Sequence, residues 1–290
     1  MVPRPTKTPH RPRALGNRYA DAAVEGGELV VVGVRFDEDD PDAGESVVVR
    51  LRPGRSEAVG RADGIARALV FVQGVAHVLL EGGRFARADD DRGVTVRDGV
   101  LDVVAHGDGV LLLGDDGVVR RASFDASTGT AVLTERGAAV TGPRRLASDH
   151  QRVVVLTGQS VVDDVGRTLL ARGGAAVAVA GDVLAVIDGK ELVVARGDTV
   201  RVFSVAHELH SVAVFGDRIF VGSRAAGLFV LADSDDRVRP LRPSLRARAL
   251  RVDAGRLVVA ADLLVATSDD GDEFATRDLA GFIRLAEKAS

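Results

Sequence analysis

The chain has no cysteine and no tryptophan among its 290 residues, and one tyrosine and one asparagine. Without cysteine there is no disulfide framework, thiolate metal site or thiol nucleophile. With aromatic residues at 4%, stacking platforms for sugars or bases are scarce. The asparagine, Asn17, lacks the Ser or Thr two places on that glycosylation requires. No stretch reaches the roughly 18 apolar residues of a membrane-spanning helix. Residues 1–18 carry Arg4, Lys7, Arg11, Arg13 and Arg18 with no apolar core behind them, so they do not read as a secretory signal. The expectation is a cytoplasmic protein without a membrane partner. A strong basic field is missing too, with 38 Lys and Arg against 42 Asp and Glu.

What is present is a globular composition, 46% hydrophobic and 28% charged, long enough for a sizeable core. Arginine outnumbers lysine 35 to 3. The pattern looks like a GC-rich coding bias, which weakens any single arginine as a sign of phosphate recognition. Pro3, Pro5, Pro9 and Pro12 keep the first residues extended. Residues 1–18 are therefore read as a basic, proline-rich tail and 19–290 as one folded domain.

Beyond about Ala20 the chain alternates short β-branched runs with glycine-rich turns, and long helical periodicity is absent before the C-terminus. A unit recurs: a short strand, a Gly or Asp turn, a strongly apolar strand, a second turn and two poorer strands. The strong strand opens near Glu28, Gly74, Gly109, Arg152, Asp182, Arg218 and Arg256, at spacings of 30 to 46 residues. The longest spacing contains the acidic loop Asp37, Glu38, Asp39, Asp40, Pro41 and Asp42. Four strands per repeat of about 40 residues predict an all-β propeller. Seven blades lead, six or eight stay open, and two β-sandwiches are the rival fold. In the repeats Ala176–Ala206 and His210–Leu241, Gly181-Asp182 and Gly216-Asp217 occupy the same turn. Leu279, Phe282, Ile283 and Ala286 fall at helical spacing after the cap candidate Asp278, with Lys288 near the end. They predict a short docking helix, or a final strand that closes the ring.

Thr267, Asp269, Gly271 and Phe274 stand as Ser/Thr-x-Asp-x-Gly-x-x-aromatic. This resembles the Asp-box turn of sialidase-like and photosystem-assembly-factor-like propellers, and the repeat length is similar to that of WD-repeat-like propellers. The resemblance implies a structural hairpin, with Asp269 accepting from backbone N–H groups and Phe274 wedged between sheets. It does not imply glycosidase activity. A sialidase would need a tyrosine nucleophile, and Tyr19 lies at the end of the tail.

Catalytic motifs are absent from the sequence. Gly189-Lys190 lacks the earlier glycine of a phosphate loop, and Gly158-Gln159-Ser160-Val161-Val162 fails as a nucleophile elbow. His207 and His210 are three apart rather than four. His77, His106 and His150 are scattered across repeats. Asp37–Asp42, Asp89–Asp91 and Asp233–Asp236 lack the spacing of a calcium loop. No catalytic residue, metal or cofactor is assigned.

One basic run has functional flavour. Arg237, Arg239, Arg242, Arg246, Arg248 and Arg251 occur with no acid between Arg237 and Val252. They fit a positive groove for an acidic protein face or a nucleic-acid backbone, or an edge strand protected by charge. The leading expectation is a non-catalytic scaffold or sensor module that binds another protein, with this run and Asp37, Asp39, Asp40 and Asp42 as binding candidates. The alternatives are an enzyme or lectin taking a carbohydrate or small ligand at the axis, and a nucleic-acid-associated protein.

Overall fold

The computed structural model describes residues 15–36, 44–52, 55–88, 94–107, 109–124, 131–149, 151–261 and 264–278. These form seven four-stranded antiparallel sheets, each built from four consecutive strands. The sheets stand as blades around an axis: an all-β, seven-bladed propeller. The first strand begins at Leu15, inside the segment read as tail. The residues of the expected C-terminal helix, from Leu279 on, lie outside the described residues.

In each blade the first strand is innermost and the second is the apolar one. The second strands are Glu28–Phe36, Val75–Leu80, Gly109–Gly114, Val153–Thr157, Val183–Asp188, Arg218–Ser223 and Arg256–Ala261. They read as continuous apolar runs because both faces are buried, and successive side chains go to opposite neighbours. Val31 joins the core against blade 7, while Val30 and Val32 join the core against blade 2. Ala185 and Ile187 pack toward blade 6, while Leu184 and Val186 pack toward blade 4. Seven apolar clusters result, one at each interface between adjacent blades.

Tight turns join the first and second strands. Gln73-Gly74 and Ala254-Gly255 both take positive φ at each position, the geometry of a two-residue hairpin.

Blades 1 and 7 meet without sharing a strand, since each draws its four strands from its own segment. Their seam combines apolar packing with polar bonds near the axis. Asp21 is buried on the inner strand of blade 1. It accepts from the Leu69 N–H of blade 2 at 3.0 Å and from the Ala22 N–H at 2.9 Å. Arg251 of blade 7 reaches the same carboxylate at 2.9 Å and donates to the Leu69 carbonyl at 2.7 Å. Asp253 accepts from the Val24 N–H at 2.8 Å. Burial pushes the Asp21 carboxyl up, and Arg251 is the main influence drawing it back down.

The Asp-box expectation needs correcting. Thr267 is still in the ladder, opposite Ala275, so the turn starts one residue later than expected. Ser268 Oγ accepts from the Gly271 N–H at 2.7 Å. Asp270, not Asp269, accepts from the backbone N–H groups of Asp272 and Glu273, at 2.8 and 3.0 Å. Asp269 instead pairs with Arg256 across the preceding hairpin. Gly271 has φ +79°, and a Cβ there would strike the Phe220 ring. Phe274 packs against the core between blades 6 and 7, as expected.

Two predictions follow from buried polar groups. Replacing Arg251 by Met leaves Asp21 buried without its counter-charge. Urea unfolding at pH 7 should show a loss of about 3 kcal/mol, and the deficit should narrow as the pH falls and Asp21 takes up a proton. A loss within 0.5 kcal/mol, about the scatter of a surface substitution, would remove this seam from the closure. The second concerns His77, which is 1% exposed between Phe85 and Phe124. Burial lowers its pKa to about 4. The unfolded chain therefore takes up a proton first as the pH falls below 6.5. Stability is full above pH 6.5 and is lost toward pH 4, by about 2 kcal/mol between pH 7 and 5. His77→Leu should flatten that part of the unfolding profile; an unchanged slope assigns it elsewhere.

Candidate functional site

The inner strands wall a channel of about 460 Å³ to which all seven blades contribute. Several inner strands carry a charged side chain opposite an apolar residue of the second strand, as Asp21 opposite Val32, Asp102 opposite Leu113 and Arg145 opposite Leu156. Asp102 of blade 3 repeats the Asp21 device, accepting from the Leu146 N–H of blade 4 at 2.9 Å. Burial pushes its carboxyl up, opposed first by the charge of Arg145.

At one mouth of the channel Arg67, Arg145, Arg224 and Arg248 converge with His210 and Glu81 around a recess of about 250 Å³. The other mouth lies at the inner hairpins and includes Glu25, Phe71 and Val252.

The arginine run divides between the two radial ends of the ring. Arg248 and Arg251 lie on the inner strand Ala247–Asp253, at the mouth and in the channel. Arg239 and Arg242 bound the outer strand of blade 6. Arg239 pairs with Asp235 at 2.6 Å. Arg242 donates to the Asp272 carbonyl at 3.0 Å and covers the Phe274 ring. Arg237 and Arg246 are exposed, and no ion pair engages them among the described residues. Asp37, Asp39, Asp40 and Asp42 lie outside the described residues.

The outer rim carries a second feature. Blade 4 has outer strands of three residues each, Val161–Asp163 and Thr168–Leu170. On the outer strand of blade 5, Thr199–Ser204, Val200 and Val202 stand opposite Ala195 and Val193, which face blade 4. The short neighbour leaves them uncovered, at 52% and 48% exposure. Arg201 and Phe203 point to the other side, with Arg201 over the Phe203 ring and bonded to the Asp235 carbonyl of blade 6 at 2.8 Å.

Among the described residues no three His, Asp or Glu side chains are gathered as metal ligands. His207 lies against Phe229, His210 lines the mouth, and His106 bonds Ser148 at 2.6 Å. His150 lies outside the described residues. In the cluster Asp233–Asp236, Asp233 pairs with Arg196 and Asp235 with Arg239. No described helix is long and apolar enough to cross a membrane.

No family model and no curated protein sequence matches the chain. Solved structures do resemble it. Sqt1 of Saccharomyces cerevisiae is 12% identical with a TM-score of 0.60, covering 91% of this chain and 84% of its own. The computationally designed Ika8 protein is 13% identical at 0.59, covering 93% and 88%. BamB of Moraxella catarrhalis is 15% identical at 0.57, covering 84% and 82%. At these identities the likeness is one of fold.

Sequence reading did not single out Arg67, Arg145 and Arg224. For Arg67 a signal existed: Arg67, His210 and Arg248 each stand five residues before the last residue of the inner strand that follows or contains them, so aligning the repeats on their first hairpins puts these three in one ring. Arg145 and Arg224 do not share that spacing.

The shifted turn gives a prediction of its own. Asp270→Ala removes the acceptor for two backbone N–H groups, whereas Asp269→Ala removes one exposed ion pair. Thermal unfolding should rank Asp270→Ala clearly below Asp269→Ala, with the latter close to the parent chain. The reverse order would restore Asp269 as the residue that organises the turn.

Proposed function

We propose that the chain is a non-catalytic binding scaffold that holds a protein partner along the outer rim of blade 5, on its side toward blade 4. The observation that carries this reading is the pair Val200 and Val202, exposed side by side on an outer edge strand. An outer strand also offers unpaired backbone N–H and C=O groups, to which a partner strand can add. Arg237, exposed just before the outer strand of blade 6, and Arg246, on the stretch that leads in to blade 7, would meet acidic side chains of a partner that also crosses the outer edge of blade 5. Likeness to propellers of unrelated sequence supports a rigid platform and says nothing of the partner's identity.

The test is affinity purification of the tagged chain from its native host at moderate salt, followed by mass spectrometry. A stoichiometric protein should be recovered. Recovery should fall at least about tenfold, or 1.4 kcal/mol, for the combined variant Val200→Ser, Val202→Ser, Arg237→Ser and Arg246→Ser. Undiminished recovery would move the partner off this rim. Salt-sensitive recovery of nucleic acid in place of protein would favour the nucleic-acid reading instead.

A further inference from the structure

The arginine-lined mouth is separate from that rim and has an unusual charge balance. Four guanidiniums, Arg67, Arg145, Arg224 and Arg248, share the recess of about 250 Å³ with one carboxylate, Glu81. A second void of about 240 Å³ shares Arg67, Arg145, His210 and Arg248 with it and adds Asp102. The Asp102 carboxylate is bonded to the Leu146 N–H and acts on Arg145 and Arg67 only through space. Among the described residues no ion pair within 4.0 Å engages Arg67, Arg145 or Arg224. The seam between blades 1 and 7 shows the contrast, since Arg251 there sits directly on Asp21.

Bringing like charges together beside low-dielectric walls costs free energy that an anion would recover. The arginines come from blades 2, 4, 6 and 7, so they approach a point on the axis from several directions. A planar carboxylate offers its two oxygens in one plane. A tetrahedral phosphate offers three peripheral oxygens to forks arriving from different sides. Arg67, Arg145 and Arg224, which no described carboxylate engages in an ion pair, give the mouth a positive character suited to a phosphate monoester dianion. Beyond the arginines, Val177, Val212 and Leu250 line the second void. No Phe, Tyr or Trp borders either void, so the walls offer nothing on which a base or sugar could stack.

We propose that this mouth binds a small phosphate monoester, its phosphate gripped by Arg67, Arg145, Arg224 and Arg248 and its short apolar body directed into the channel.

The test is calorimetric titration of the full chain with butyl phosphate, inorganic phosphate and succinate. Butyl phosphate should bind tightest, inorganic phosphate more weakly for want of the apolar body, and succinate at least about tenfold more weakly than butyl phosphate. Arg145→Gln and Arg224→Gln should each weaken butyl phosphate at least about tenfold, while Arg167→Gln, exposed between the outer strands of blade 4, should leave it unchanged. Arg224 is exposed and follows the end of its strand, so Arg224→Gln carries the test if Arg145→Gln fails to fold. Three results would overturn the proposal: no binding of butyl phosphate at about 10 mM, succinate binding as tightly, or affinity unaltered in Arg224→Gln. Recovery of a protein partner by the outer rim is independent of all three.

Discussion

Everything in this ring depends on strands that must be buried on both faces. A blade whose second strand reads Val-Val-Val or Val-Leu-Leu-Leu has no side to offer to water. It is stable only between two neighbours, so the seven interfaces stand or fall together. The alternation of Val30, Val31 and Val32 between two cores shows how one strand serves both. This is also why polar residues on these strands are conspicuous. His77 occupies a position that the other blades fill with apolar residues, and the cost of burying it appears as an imidazole held neutral to about pH 4.

A ring has one seam that chain connectivity does not support. Between other blades the chain itself links one sheet to the next. Between blades 7 and 1 no such link exists within the described residues, and no strand is shared. The apolar cluster there joins Ala22, Ala260, Leu29, Leu51 and six valines. The polar bonds of Asp21, Arg251 and Asp253 supply direction that apolar side chains cannot. Asp21 also bonds blade 2, so one carboxylate and one guanidinium tie together three blades. Apolar area favours closure in general; these bonds fix its register.

The blade pattern was legible because it is local. A two-residue hairpin followed by an apolar run can be read from a few consecutive residues, and all seven marked positions fall at the start of a second strand or one residue before it. The turn around Asp269 and Asp270 was less legible, since Thr267-x-Asp269 and Ser268-x-Asp270 both satisfy a polar pair two apart. Only the end of the ladder at Ser268 decides between them. The arginine run misled in another way. Residues adjacent in sequence crossed from the outermost strand of blade 6 to the innermost strand of blade 7, so Arg242 and Arg248 stand at opposite radial ends. The mouth arginines fail from the opposite cause, being far apart in sequence and joined only by the axis.

The two buried carboxylates show how one local device can have two outcomes. Asp21 and Asp102 occupy corresponding inner-strand positions, and each accepts from the backbone N–H of a leucine in the next blade. That bond fixes the carboxylate and stitches two blades. What differs is the arginine. Arg251 stands close enough to form an ion pair, so the charges cancel within the wall. Arg145 and Arg67 stand farther from Asp102, so their charge is attenuated but not consumed. The wall is therefore neutral at the seam, where strength of closure matters, and positive at the mouth, where the chain opens to solvent. A charge placed on a rigid inner strand is held in position by the blades on either side. The ring is thus suited to present several guanidiniums to one point without the ordering cost that flexible loops would incur.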